Sequence, residues 1–499
     1  MPNDQTPPPT ILVPTGISGL DDILGGGVTP FRVYLIEGNP GSGKTTLALQ
    51  VLLQGARDGK RALYVTLSES AEEIRATAES HGWSLKGVDV FELIAPEEML
   101  DPDEQSTMFH SSEVELSETT KSILNEVERV KPALVVFDSL SEMRLLAQGS
   151  LRYRRQILAL KQFFSGRSCT VLMLDDRTSE NTDMRLQSIA HGVISLEQLS
   201  PEYGAERRRL RVIKMRGRKY RGGYHDFTIV RGGLRVFPRL VAAEHVSSFG
   251  DFSLRSGLEG LDQLLGGGLE AGTNTLLMGP AGSGKSTLIL QYIGNAARLG
   301  QRAAVFSFEE SVHTLMARAS RLGTDLKPSI DSGHVRVRQV DPAELSPGEF
   351  VHKVRDAVEN DGAKVVVIDS LNGFLNAMPE ERFLIIQLHE LLSYLGQQGV
   401  VTILVVAQHG LLGSDIQTTV DASYLADTVI LLRFFEAAGE VRQAISVVKK
   451  RSGEHERAIR ELRMTSGNVT VGEPLREFSG ILSGLPVPMV RLGPNPTLE

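Results

Sequence analysis

Gly279-Pro280-Ala281-Gly282-Ser283-Gly284-Lys285-Ser286-Thr287 is the stretch whose reading decides the fold. It spells GxxxxGK[ST]. It follows an apolar run, Asn274 to Met278, and precedes a helix-like run, Leu288 to Ala297, which is the strand–loop–helix setting a phosphate-binding loop requires. Gly279, Gly282 and Gly284, with Ser283 between the last two, let successive backbone N–H groups turn inward around phosphate oxygens, and the new helix N-terminus adds its dipole. Lys285 reaches for the β/γ-phosphates, Ser286 is a ligand for Mg²⁺, and Thr287 completes the nucleotide-binding set. ATP with Mg²⁺ is the expected cofactor pair.

The stretch occurs twice. Gly38-Asn39-Pro40-Gly41-Ser42-Gly43-Lys44-Thr45-Thr46 lies 241 positions upstream. Thr15-Gly16, Gly19-Leu20-Asp21 and Leu24 to Gly27 recur at the same offset as Ser256-Gly257, Gly260-Leu261-Asp262 and Leu265 to Gly268. Self-similarity on this scale marks a duplicated domain. Gly38, Gly41, Ser42, Gly43, Lys44, Thr45 and Thr46 therefore form a second expected nucleotide site, with Thr45 as its Mg²⁺ ligand. The expected division is a disordered tail at 1–10, domains at 11–245 and 246–486, and a short tail at 487–499.

A chain of 499 residues suits two domains, each large enough for its own core. The net charge of −8 and pI near 5.9 speak against a dedicated nucleic-acid binder. Cys169 is the only cysteine, so there is no intrachain disulfide and no zinc knuckle. It lies in an apolar run and reads as core. The first ten residues are polar and proline-rich, unlike a signal peptide, and no apolar run is long enough to span a membrane. The expectation is a soluble cytoplasmic protein without a membrane partner.

Ala133 to Asp138 and Lys364 to Asp369 are matching apolar runs ended by a carboxylate, as strands buried on both faces of a parallel sheet would be. Further strands are expected at Arg32 to Glu37, Ala62 to Leu67, Thr170 to Leu174, Ala303 to Phe308 and Val401 to Ala407. Each domain closes with a strand pair, Val193 to Leu196 with Leu210 to Lys214, and Val429 to Leu432 with Ala444 to Lys450. Helical runs alternate with the strands, which gives an α/β fold with mostly parallel sheets flanked by helices. Pro96 to Thr120 is polar, acidic and weakly periodic, and is read as a loop or partner-facing insertion.

Hydrolysis at such a loop needs a phosphate cradle, Mg²⁺, a positioned water and positive charge at the transition state. Asp138 and Asp369, at strand carboxyl ends, fit the metal role, directly or through water; a strand-end Asp also serves as a helix cap, and the upstream P-loops favour the metal reading. A carboxylate is needed to orient or deprotonate the nucleophile. Glu309 and Glu310 offer two adjacent ones, either of which could serve as the base. The first domain has Ser68-Glu69 there, so Glu69 stands alone and the two sites are chemically unequal. Lys214-Met215-Arg216 and Lys449-Lys450-Arg451 are basic trios near the domain ends. Alternation on a strand projects Lys214 with Arg216, and Lys449 with Arg451, to one face. In a ring they could reach a neighbour's γ-phosphate.

With the Gly-Leu-Asp…Gly-Gly-Gly segments, both P-loops, Glu309-Glu310, Asp138 to Leu140, Asp369 to Leu371, Lys214-x-Arg216-Gly217 and Ala458 to Glu461 taken together, the chain resembles the KaiC family of tandem RecA-like ATPases from Thr15 to about Pro486. The resemblance implies a double-ring homohexamer with ATP at subunit interfaces, autokinase activity in the second domain, and a KaiB-like or other signalling protein as partner. It also implies a phosphoacceptor pair just before a strand, here Ser423-Tyr424 before Asp427 to Ile430. Ser423 matches the family's serine and Tyr424 departs from its threonine, so the ordered two-site cycle is not carried over; Ser423 alone, or with Tyr424, remains. The remainder from Leu485 to Glu499 is shorter than the family's tail that binds KaiA, so a KaiA-type activator is not expected. The competing reading is a RecA-like DNA recombination or repair motor. It needs a basic loop after the Asp138 or Asp369 strand. Arg144, Arg152, Arg154 and Arg155 offer one in the first domain, whereas Asn372 to Glu381 holds no basic residue, which favours the kinase.

Overall fold

A computed structural model describes residues 11–93, 111–147, 149–176, 184–376, 383–408, 423–465, 467–483 and 487–488. The chain divides into two compact units, 1–239 and 240–499. The division falls ahead of the 245/246 boundary expected from the repeat because Leu240 and Ala242 are buried in the second unit's core, against residues such as Leu391 and Tyr394.

In the first unit, α1 (Ser18–Leu24) precedes β1 (Val33–Gly38), α2 (Lys44–Arg57), β2 (Ala62–Thr66), α3 (Ala71–Ser80), β3 (Val88–Glu92), α4 (Ser111–Val130) and β4 (Leu134–Asp138). Then come α5 (Leu140–Ala147), α6 (Ser150–Phe164), β5 (Thr170–Asp176), α7 (Met184–Ile189), β6 (Gly192–Leu199), β7 (Arg207–Met215), β8 (His225–Val230) and β9 (Gly233–Phe237). The strands form one sheet in the order β3-β2-β4-β5-β1-β6-β7-β8-β9. It is parallel from β3 to β6 and antiparallel from β6 to β9. β1, β2 and β4 are buried along their whole length, as continuous apolar runs covered by helices on both faces must be. Cys169 is buried, as read, and burial pushes its thiol up to about 12.

The second unit repeats the plan. A two-strand pair, β10 (Ser253–Leu254) and β11 (Leu269–Glu270), brackets α8 (Glu259–Leu264). β12 (Asn274–Gly279), α9 (Lys285–Arg298), β13 (Ala303–Ser307), α10 (Val312–Arg321), α11 (Lys327–Asp331), β14 (Val335–Gln339), α12 (Pro347–Glu359) and β15 (Val365–Asp369) follow. The unit continues with α13 (Leu371–Asn376), α14 (Leu384–Gln397), β16 (Val401–Ala407), β17 (Thr428–Ala437), β18 (Glu440–Lys450), β19 (Ile459–Thr465) and β20 (Asn468–Pro474). Its sheet order, β14-β13-β15-β16-β12-β17-β18-β19-β20, is that of the first unit, strand for strand. The expected mostly parallel α/β architecture is present in both units.

Three expectations change. Residues 111–120, read as loop, begin the helix α4. Thr119 and Thr120 are buried, and Ile123, Val127 and Val130 continue the same face; threonines at buried positions hide the helical period. Residues 96–110 lie outside the described residues. The closing strand pair of each domain is four antiparallel strands, because the hairpins β8–β9 and β19–β20 extend it. Of the expected tails, 1–10 and 489–499 lie outside the described residues, while Val487–Pro488 pairs with Phe478–Ser479.

Candidate functional site

Both phosphate loops leave the central parallel strand of their sheet and enter a helix. Gly43 and Gly284 cap α2 and α9 with φ of 96° and 100°, a left-handed conformation that L side chains avoid. A Cβ on Gly38 would meet Leu196 O at 2.5 Å, and one on Gly279 would meet Ser283 Oγ at 2.7 Å. The backbone is drawn that tightly around the cradle. Ser42 and Ser283 hydroxyls are buried inside it without a protein partner, which suits a loop that takes phosphate oxygens. Gly41 and Gly282 are also left-handed, at φ 78° and 77°. Thr46 and Thr287 lie in the first turns of the two helices.

Register brings the rest together. Gly38 lies beside Asp176 and Thr66 beside Asp138; Gly279 lies beside Ala407 and Ser307 beside Asp369. All these positions are at the carboxyl edge of parallel strands, where open α/β sheets bind ligands. Thr45 Oγ1 donates to Asp138 Oδ2 at 2.9 Å, and Ser286 Oγ to Asp369 Oδ2 at 3.4 Å. A hydroxyl and a carboxylate oxygen side by side are hard donors of the kind that hold Mg²⁺ with its waters, so the expected metal residues fit the ion.

The two carboxylates sit in different fields. Burial raises the pKa of Asp138, opposed by hydrogen bonds from Tyr64 and Thr45 and by the Lys44 charge. Val305 replaces Tyr64 at the matching position, 241 residues on. Asp369, without that phenol, is pushed up to about 6 by burial and then by Glu309, against the pull of Ser286 and Lys285. Burial also lowers the pKa of Lys285, which Asp369 and Glu309 resist.

In the second unit a cleft of about 510 Å³ is lined by Ser286, Glu309, Glu310, Ser311, Thr314, Arg318 and Asp369. The two glutamates have different partners. Ser370 Oγ donates to Glu309 Oε1, whereas Glu310 is held by Arg318 at 2.8 Å. Ser307 Oγ donates to Glu310 O, as Thr66 Oγ1 does to Glu69 O. This matched turn aligns Ser68 with Glu309 and Glu69 with Glu310. Arg318 is Thr77 in the first unit. Loss of hydration, then the charges of Asp138, Glu73 and Asp176, raise the pKa of Glu69.

The basic residues are at the opposite edge of the sheet. Lys214 lies beside Val193 and Lys449 beside Val429, each three positions along the strand from the level of the P-loop glycine, or about 10 Å at ordinary strand rise. Lys214 donates to Gln187 O and Arg216 to Ser188 O at 2.7 Å. Lys449 donates to Ala426 O at 2.7 Å and Arg451 to Tyr424 O at 3.4 Å. Each pair projects together, as strand alternation requires, and away from its own cradle. Ser423 begins the short turn Ser423–Leu425 at this same edge, and Tyr424 is 54% exposed.

Sequence reasoning missed Asp176, which makes a 2.6 Å ion pair with Lys44, along with Tyr64 and Arg318. Asp176 is the second of two carboxylates, after Asp175, that end the apolar run from Thr170 to Leu174, and that was the available signal. Of the basic segment 144–155, Arg144 is committed to Asp175 by two 2.8 Å contacts and lies over the Tyr153 ring, which removes it from a nucleic-acid surface. Among the described residues no helix is long and apolar enough to cross a membrane.

The comparisons with known proteins agree with this geometry. The circadian clock protein KaiC3 of Synechocystis sp. is 28% identical over 485 residues, covering 95% of this chain and 94% of that protein. The circadian clock oscillator proteins KaiC of Picosynechococcus sp. and Thermostichus vulcanus are each 27% identical, over 95% and 97% of this chain and 92% and 93% of their own lengths. A model of the KaiC ATPase family matches residues 13–241 and again 254–476, once for each cradle and its sheet. With two phosphate loops on two identically ordered sheets, and family matches that span both, the chain belongs to the KaiC ATPase family.

Proposed function

We propose that this KaiC-family ATPase is also a serine autokinase, acting as a homohexamer with nucleotide between neighbouring subunits. The second unit transfers phosphate and the first holds nucleotide with slow turnover. The observation that carries this reading is the carboxylate pair Glu309 and Glu310 in the cleft beside Ser286 and Asp369, where the first unit has only Ser68 and Glu69. Thr45 with Asp138, and Ser286 with Asp369, would hold Mg²⁺, which when bound neutralises the phosphate charge that builds during transfer.

In the second unit Glu309, oriented by Ser370, accepts the proton of the Ser423 hydroxyl of an adjacent copy. The Ser423 oxygen forms its bond to the γ-phosphorus as the bond to the ADP oxygen breaks. Lys285 stays on the β/γ-phosphates, and Lys449 and Arg451 of the adjacent copy supply further positive charge. Transfer between copies is favoured because the Ser423 turn and the Lys449–Arg451 pair share the sheet edge remote from their own cradle. In the first unit Lys214 and Arg216 take the positions of Lys449 and Arg451, and Glu69, which aligns with Glu310, is the one carboxylate left beside Ser68. The partner is a KaiB-like or other signalling protein, and the setting is the cytoplasm.

Intact mass after incubation with ATP–Mg²⁺ tests the transfer. One added phosphate is expected, absent in Ser423→Ala and in Glu309→Gln. Phosphate mapped only to Tyr424, or to neither residue, removes the Ser423 assignment and leaves the ATPase standing. Assembly is tested separately. Nucleotide bound between subunits stabilises the complex by mass action, so light scattering should report a hexamer with ATP–Mg²⁺ and smaller species without nucleotide. A monomer under both conditions contradicts the proposed ring.

A further inference from the structure

The two cradles differ in what faces the P-loop lysine. An ammonium group has three N–H donors. Lys44 Nζ directs them to Gly38 O at 2.9 Å, Asn39 O at 3.0 Å and Asp176 Oδ1 at 2.6 Å. Lys285 Nζ makes the first two contacts, to Gly279 O at 2.8 Å and Pro280 O at 2.7 Å. The register that sets Asp176 beside Gly38 sets Ala407 beside Gly279, and a methyl group cannot take the third donor. The Lys44–Asp176 pair is sheltered, with side chains 7% and 24% exposed. Asp176 is fixed by its strand, and its backbone N–H donates to Ser141 Oγ at 3.3 Å.

We infer that Asp176 competes with the terminal phosphate of a nucleoside triphosphate for Lys44, and so makes the first site selective for nucleoside diphosphate. The inference rests on the first loop binding nucleotide. In a P-loop the backbone cradles the α- and β-phosphates while the lysine reaches the β- and γ-phosphates. A diphosphate also meets Lys44, through its β-phosphate, but brings no terminal phosphate up to the carboxylate. A triphosphate adds negative charge beside Asp176, and beside Asp138 and Glu69, whose ionisation Asp176 already opposes. The second unit, with Ala407, carries no such competitor at that position.

The test is calorimetric titration of ATP–Mg²⁺ and ADP–Mg²⁺ into the full chain bearing Lys285→Ala, which silences the second site. Asp176→Ala and Asp176→Asn should each raise the affinity for ATP relative to ADP by about 10-fold or more, because repulsion between like charges a few ångströms apart in a partly buried site exceeds what a tenfold preference requires. Trp83, the only tryptophan, lies in the first unit. Its fluorescence unfolding midpoint, compared with ATP and with ADP, therefore reads the same preference in a chain with both loops intact. Binding with an unchanged ATP-to-ADP ratio in both variants overturns the role of Asp176 alone, and so does lost first-site hydrolysis at that unchanged ratio, which would make Asp176 a base. Absence of nucleotide from the first site in every variant overturns both this inference and the nucleotide reading of the first loop.

Discussion

Glu309→Gln should lower ATP hydrolysis by the whole chain about 10²–10⁴-fold, the range a positioned general base contributes. The substitution keeps the shape and the Ser370 hydrogen bond while removing the proton acceptor. The first site cannot cover the loss, because Ser68 stands at the matching position and does not accept a proton at neutral pH. Glu310→Gln should cost less, since that carboxylate is already tied to Arg318. The loop lysines give an independent check on the same division. Lys285→Ala should remove most hydrolysis, and Lys44→Ala should remove little of it while weakening assembly. Steady-state phosphate release measures all four variants. The assignment fails if Glu309→Gln keeps most of its turnover, or if Lys44→Ala loses as much as Lys285→Ala.

Arg144→Ala should destabilise the first unit by about 3 kcal/mol, the low end for breaking a buried ion pair by removing one partner, because Arg144 is 27% exposed and some solvent reaches it. Asp175 would be left buried and unpaired. Its pKa is pushed up to about 6 by burial, even against Arg144. A carboxyl whose folded pKa lies above its unfolded value favours folding while protonated, and that contribution is lost as pH rises through about 6. The penalty for Arg144→Ala should therefore be largest near pH 7 and shrink below pH 6. The second unit supplies the control, because Leu375 and Val406 stand at the two matching positions, against the same core. Arg144→Leu with Asp175→Val should accordingly recover most of the loss. Urea unfolding followed through Trp83 reports the first unit. A loss independent of pH, or a double variant as weak as the single one, would show that the pair is not the source.

What could be read from the sequence was whatever lies close together along it. The loops at Gly38 and Gly279, the apolar runs ending in Asp138 and Asp369, and the strand–helix alternation each carry their meaning within a dozen residues, and the sheets follow from them. The partners that tune the sites do not. Tyr64 meets Asp138 because β2 lies beside β4, and Asp176 meets Lys44 because β5 lies beside β1; strand order decides these encounters, and no local pattern encodes it. Arg318 reaches Glu310 from the last turn of α10, where an arginine on a helix surface looks like solvation. The helix α4 was hidden for a different reason, since Thr119 and Thr120 hold buried positions while scoring as polar.

Each unit carries its phosphate cradle at one edge of the sheet and its paired basic side chains at the other. Such a body has a front and a back. Copies that complete one another's sites must meet front to back, so the contact is between two unlike surfaces, and repetition of it either closes into a ring or runs on as a filament. A two-fold dimer, which joins like to like, would leave every cradle unfinished. On the proposed assembly, turnover therefore becomes a property of closure: it rises more steeply than in proportion to protein concentration, and a chain diluted from its neighbours falls silent with its own residues all intact.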